Sequence, residues 1–191
     1  MASVGSAIRE ACLAVKEEAT KRNESTRPVE AEASAQRPAD VADKYSMHAF
    51  GAVFAEVAID PDVGTIRVRR AVGAYGIGRV INPKLATSQC TGGMIGGMGM
   101  ALMERTMLDS SNGRPVNAHM ADYLMPVHLD IPALEAHFID EVDPYVNPLG
   151  VKGLGEIALV GMAPAIANAV YHATGVRVRT LPIRIEDVLT T

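Results

Sequence analysis

Apolar positions along the chain change spacing several times, and each change marks an element. Ile8, Ala11, Cys12 and Val15 recur at the spacing of one helical face, which predicts a helix over residues 6–21 with Ser6 as its N-cap. Residues 22–44 run through Glu, Ser, Thr, Pro, Ala and Asp with hardly any large apolar side chain. Such a segment cannot bury enough surface to offset the entropy of ordering, so it reads as a linker or exposed loop. Two β-rich runs, 48–59 and 65–75, flank Asp60-Pro61-Asp62-Val63-Gly64 and predict a hairpin. Asn82-Pro83 opens a helical stretch to about Met107, carried by Leu85, Gln89, Ile95, Met98, Leu102 and Met103 despite glycines at 92, 93, 96, 97 and 99. Glycine is costly in a helix, and five of them imply close packing. Residues 136–141 show a short strand pattern. Ile157, Val160, Ala163, Ile166, Ala167, Val170 and Tyr171 form a further helical face that ends at Gly175, a suitable C-cap. The expected fold is a mixed α+β domain with a hairpin or sheet packed by helices and no internal repeat. Its expected divisions are a helix at 1–21, a linker at 22–44 and the main body at 45–191.

Composition narrows the functional classes. With 191 residues and 48% hydrophobic content the chain can build a real core. A net charge of -4 and a pI near 5.7 speak against a nucleic-acid partner, which would need a concentrated basic face. Cys12 and Cys90 lie far apart and form no CxxC pair, so this chain's thiols alone cannot assemble an iron–sulfur or zinc site. Histidines 48, 119, 128, 137 and 172 include no i,i+4 pair, so no protein-ligated metal is expected. The ten methionines suit irregular core gaps. No unbroken run of about 18 apolar residues appears and no secretory signal opens the chain, so no membrane association is expected. The compartment, bacterial cytoplasm or periplasm, stays open.

Chemistry concentrates in Gly150-Val151-Lys152-Gly153-Leu154-Gly155-Glu156, a Gly-rich turn that ends on one carboxylate at a helix start. Glycines open backbone conformations closed to other residues and allow close approach to a ligand, while a helix start fixes the carboxylate and favours its ionised form. On spacing alone, Glu156 is equally a helix cap and Lys152 a solvated charge. A second segment, Gly78-Arg79-Val80-Ile81-Asn82-Pro83, leads into Gln89-Cys90-Thr91-Gly92-Gly93 and Gly97-Met98-Gly99-Met100-Ala101-Leu102. Gln89 by itself is a surface or core-bonded glutamine, or one that offers an amide donor and acceptor to a ligand. A dinucleotide-binding loop at residues 92–99 is disfavoured, because those glycines lie within a helix instead of opening one after a strand.

Together these strings resemble the molybdenum-cofactor subunit of the xanthine dehydrogenase/aldehyde oxidase family, in its C-terminal part and closest to the bacterial aldehyde-oxidase branch. The Lys152–Glu156 string matches that family's lysine-glycine-x-glycine-glutamate motif, followed by the helix Ala165-Ile166-Ala167-Asn168-Ala169. Gly78–Pro83 and Gln89–Gly93 match its second motif, and Ser46–Ala52 with Phe54–Val57 its hairpin. The small-residue string Ser3, Val4, Gly5 and Ser6 resembles a turn that contacts the cofactor, although the same residues make an ordinary N-cap.

The resemblance implies a molybdenum–pterin cofactor, with the cytosine dinucleotide as a compatible form, and oxidative hydroxylation of a small aldehyde or N-heterocycle with water as oxygen source. Glu156 would be the general base. Gln89 would bond the pterin, with Ser3, Val4, Gly5, Ser6, Lys152, Gly153 and Gly155 as further cofactor contacts. Iron–sulfur clusters and FAD would sit on partner subunits. Family subunits are several times longer, so a large N-terminal part supplying much of the pocket is an expected partner, and a homo-oligomer is compatible. The rival reading is a non-catalytic binding or assembly fragment that keeps the fold and does not hold cofactor alone.

Overall fold

A computed structural model describes residues 2–22, 28–34, 41 and 43–189. About half of the linker expected over 22–44 falls outside these. Within it, residues 28–34 are described and carry no regular structure. The chain divides into two compact units, one made of Met1–Ala49, Gly76–Ile81 and Ile139–Gly153, the other of Phe50–Tyr75, Asn82–Phe138 and Leu154–Thr191.

The second unit is a three-stranded sheet with helices. Strands β1 (Phe50–Ile59) and β2 (Ile66–Gly76) are sheet neighbours joined by the turn at Asp60–Gly64. Asp60 Oδ1 accepts the backbone N–H of Asp62 at 2.9 Å there, and Gly64 takes a left-handed φ of 69°. β3 (Ala133–Phe138) lies against β2 in parallel, with Arg70 opposite Ala133 and Tyr75 opposite Phe138. A parallel pair needs a long crossover, and the intervening chain supplies it with α2 (Pro83–Leu102). α3 (Ile157–Thr174) packs on both α2 and β1, and the short α4 (Ile185–Leu189) closes the unit.

Two elements shift from their expected bounds. β3 begins three residues earlier than the 136–141 pattern and stops at Phe138, because the partner register on β2 sets its limits. α2 ends at Leu102, short of Met107, where the Gly99 carbonyl accepts both the Met103 and Glu104 N–H groups, at 2.9 and 2.8 Å. The remaining signals hold locally. Asn82 Oδ1 caps α2 through the Leu85 N–H at 3.1 Å with Pro83 in the first turn, and Gly175 ends α3 in the left-handed conformation at φ 77°.

Tyr75, Cys90, Met94, Met98, Met162, Ile166 and Val170 are fully buried in this unit. The methionines divide. Met94, Met98 and Met162 fill the core as expected, whereas Met100, Met107, Met120 and Met125 are exposed. By length and composition α3 would meet the requirement for a membrane span. Its apolar side chains serve two neighbours, α2 and β1.

In the first unit α1 (Ala2–Arg22) begins four residues before the expected N-cap, so Ser6 lies inside the helix and is buried. The predicted apolar face fares less well, since Ile8 and Cys12 are exposed. Periodicity reports which side of a helix is apolar and is silent about whether anything covers it. Tyr45 and Tyr145 stack in this unit with ring centroids 4.3 Å apart.

The glycines of α2 are not equivalent. A Cβ on Gly97 would fall 2.6 Å from the Leu159 carbonyl oxygen of α3, and one on Gly93 would fall 3.1 Å from the Leu159 nitrogen, whereas one on Gly92 meets nothing within 4 Å. Gly97→Ala is therefore expected to destabilise the chain by about 1–3 kcal/mol through overpacking against backbone. Gly92→Ala should stabilise it by about 0.5–1 kcal/mol through helix propensity. Paired urea unfolding curves check both signs.

Candidate functional site

In the second unit the two sequence motifs meet. Gln89 sits on the second turn of α2, and its Nε2 donates to the Gly155 carbonyl oxygen at 2.8 Å. The bond spans 66 residues of sequence and fixes the peptide immediately before Glu156. Gln89 is exposed, and among the described residues this is the polar contact its side chain makes.

Glu156 occupies the N-cap position of α3, yet its side chain makes no capping hydrogen bond. Its backbone carbonyl does the helix-starting work, accepting the Leu159 N–H at 3.0 Å and the Val160 N–H at 3.2 Å. The carboxylate is exposed, and among the described residues no hydrogen bond or ion pair occupies it. A carboxylate at a helix start, with no structural duty of its own, is free to accept a proton or a donor from a ligand.

The glycines next to it act differently from expectation. Neither Gly153 nor Gly155 adopts the left-handed backbone, whereas Gly150 (φ 68°), just before them in the chain, and Gly78 (φ 66°) do. A Cβ on Gly153 or Gly155 would meet nothing within 4 Å, so both leave bare backbone, Gly155 immediately before the carboxylate residue. The left-handed backbone here belongs to the turn at Gly150 that precedes them.

That turn belongs to the first unit, whose boundary cuts the Lys152–Glu156 motif between Gly153 and Leu154. Gly78 and Val151 form an antiparallel bridge, in which the Arg79 N–H donates to the Gly150 carbonyl at 2.7 Å and the Lys152 N–H to the Ile77 carbonyl at 2.8 Å. A side chain on Gly78 would collide with the Gly150 carbonyl oxygen, so glycine is required there. The Asn147 side chain wraps the loop, donating to the Val151 carbonyl at 2.6 Å and accepting the N–H groups of Leu149 and Val151 at 3.1 and 3.2 Å.

Lys152 is not a solvated charge. Its Nζ lies 2.9 Å from Glu141 Oε1 and 3.5 Å from Asp143 Oδ2, with the lysine side chain only 9% exposed. Glu141 Oε1 also accepts the Gly78 N–H at 2.9 Å, so a single oxygen ties both strands of the bridge. The hydrogen bond from Lys152 holds the Glu141 carboxyl below its ordinary range, and the bond to Glu141 raises the Lys152 ammonium above its own. Glu141, Asp143 and Asn147 were not anticipated. The Asp143-Pro144 and Asn147-Pro148 pairs carry a recognisable turn signal. Glu141 pairs with a lysine 11 residues later, for which a local pattern offers nothing.

Of the four residues at the chain's start, Val4 is exposed at 63%, Gly5 is half-buried and Ser6 is fully buried. Ser3 lies in α1, and its side chain falls outside what the structure describes. All four belong to the first unit, while Gln89, Gly155 and Glu156 belong to the second.

A family model for the molybdopterin cofactor-binding domain matches residues 1–132. The chain is 47% identical over 146 residues to the aldehyde oxidoreductase molybdenum-binding subunit PaoC of Escherichia coli K12, covering 76% of this chain and 20% of that protein. It is 32% identical over 168 residues to the 6-hydroxypseudooxynicotine dehydrogenase complex subunit gamma of Paenarthrobacter nicotinovorans, covering 84% and 21%. The fold also matches the aldehyde oxidoreductase of Desulfovibrio gigas, with a TM-score of 0.64 and 33% identity over 74% of this chain and 15% of that one. The chain thus spans about a fifth of the length of the curated relatives it matches.

Removing the Lys152 ammonium leaves Glu141 and Asp143 as neighbouring uncompensated carboxylates. Because both are partly solvated, Lys152→Met is expected to cost about 1–3 kcal/mol at pH 7. Glu141 has a lowered pKa when folded, so its contribution is present above its ordinary 4.5 and fades as pH falls through the lowered value. Lys152 has a raised one, so its contribution is full below 10.5 and fades only above that. Urea unfolding at pH 7 and at pH 3 should show the variant's deficit shrinking at acid pH.

Proposed function

The chain belongs to the molybdopterin cofactor-binding domain family, among the molybdenum-binding subunits of the aldehyde oxidoreductase and xanthine dehydrogenase group, and from that premise we propose that it carries the general base of a molybdenum hydroxylase. The reaction would be the oxidative hydroxylation of an aldehyde or N-heterocycle, with water as the source of oxygen. One observation carries this reading. The Glu156 carboxylate stands at a helix start with no structural bond among the described residues, and the peptide before it is pinned by Gln89.

The residues present fit the cofactor. Gly155 offers backbone with open space in front of it, and the Gln89 carboxamide, exposed and bonded through one N–H, has an oxygen and a second N–H to give. Gln89 and Gly155 would hold the pterin; Gly153 and the α1 residues Ser3, Val4, Gly5 and Ser6, which belong to the first unit, are carried as cofactor contacts by the resemblance alone, and Ser6 is fully buried. The cytosine dinucleotide form is compatible with that group. Lys152 contributes by fixing the turn, since its ammonium is taken by Glu141 and Asp143. The molybdenum–pterin group, when bound, would supply two-electron redox chemistry, with iron–sulfur and flavin partner subunits as the electron acceptors.

Glu156 acts on the proton. A carboxylate within hydrogen-bond reach of the water-derived nucleophile removes its proton as it attacks, raising its nucleophilicity. Fixation of the Gly155 peptide limits the positions from which the carboxylate can do so, and the uncovered glycine backbone leaves room for the substrate side.

Glu156→Gln keeps shape and hydrogen bonding and removes proton acceptance. In the assembled, cofactor-loaded enzyme the reductive half-reaction should slow by at least about 10²-fold, with molybdenum content unchanged. A non-catalytic assembly role predicts no change in rate at matched molybdenum content. Rapid-mixing measurements on the two loaded proteins decide between them.

A further inference from the structure

β1 is an edge strand, since the sheet order is β1-β2-β3 and among the described residues no strand pairs with its outer side. Its ten residues, FGAVFAEVAI, carry a single charge, at Glu56, and neither Lys nor Pro, the residues that usually protect an exposed edge. Phe54 is 71% exposed, and no residue of the strand is fully buried.

A groove of about 490 Å³ runs beside it, lined by Val53, Phe54, Ala55, Glu56 and Val57 of β1 and by one face of α3 that includes Ala165, Ala169 and His172. Successive side chains of a strand point to opposite faces, so a groove that touches five consecutive residues follows the strand's edge. No residue of β2 lines it, which places it on the outer side. The floor is shallow because α3 presents alanines at 165, 169 and 173, spaced four apart on one face. Unpaired strand edge above a small-residue shelf is the shape that an added β-strand fills, its backbone pairing with the edge and alternate side chains resting on the shelf.

We propose that this groove is the docking site for an extended segment from the remainder of the molybdenum-binding subunit, entering as a further strand beside β1. The length of the relatives argues for that occupant. About four-fifths of each matched subunit lies outside the region this chain covers, so that polypeptide is available wherever such a subunit assembles. The segment is apolar on the positions that face α3, because the groove offers Val53, Ala55 and Val57 with the alanine shelf on that side, while Phe54 and the single carboxylate Glu56 lie on the other. The inference rests on the family membership above and is independent of the roles given to Glu156 and Gln89.

Hydrogen exchange of the β1 amides tests it, read in this chain alone and co-produced with the E. coli PaoC polypeptide lacking the matched region. Amides at 53–57 that face outward should exchange at least tenfold more slowly in the complex, and Ala169→Lys should abolish co-purification with the thermal midpoint of the isolated chain unchanged. Unchanged exchange at 53–57 in the complex, or failure of the two to co-purify, overturns the proposal. So does protection already present in the chain alone that disappears on dilution, which would identify a second copy as the occupant. None of these readouts depends on bound molybdenum, so they stand apart from the outcome for Glu156→Gln.

Discussion

The close approach of α2 and α3 governs the second unit, and it exists because two residues of α2 lack side chains. At Gly97 the backbone of α3 lies too close for a Cβ, and at Gly93 a Cβ would sit tight against it. That contact brings the start of α3 within reach of Gln89, one turn earlier on α2 than Gly93, and permits the 2.8 Å bond to the Gly155 carbonyl. The cost of glycine in a helix is thereby offset by a contact that larger residues forbid. Met94, Met98 and Met162 then fill the irregular space around it.

In the first unit the comparable constraint is electrostatic. The Gly78–Val151 bridge is short, and two backbone bonds would define it weakly without the Glu141 carboxylate, which binds the Gly78 N–H and the Lys152 ammonium through one oxygen. With the lysine largely buried, these bonds are shielded from water and so strengthened relative to a surface pair. The motif lysine thus serves the turn that leads toward the carboxylate.

Much of this was legible in the sequence, for reasons that differ by element. The hairpin, the Asn82-Pro83 helix start and the Gly175 stop carry local chemistry that acts within a few residues, and local chemistry is what a sequence displays. The meeting of Gln89 with Gly155 was not readable from spacing, because it is a contact across 66 residues. Resemblance marked both as site residues, and the structure adds that they touch. The extent of β3, the position of Ser6 within α1 and the exposure of Ile8 and Cys12 were misread for a related reason. Each depends on a partner surface or register that lies elsewhere in the chain or beyond the region it covers. The role of Gly153 and Gly155 was misjudged on physical grounds. Glycine was read as conformational freedom where it provides uncovered backbone.

In the proposed function two side chains carry separate duties, Gln89 holding and Glu156 acting. Cofactor retention by Gln89→Ala in the assembled subunit tests that division most directly. Loss of the Gln89 partner by cofactor groups, at about 1–3 kcal/mol, should weaken retention by roughly 5- to 150-fold, read as a reduced molybdenum-to-protein ratio after dialysis. Full molybdenum loading with unchanged retention would contradict the account and leave Gln89 as a brace for the Gly155 peptide alone.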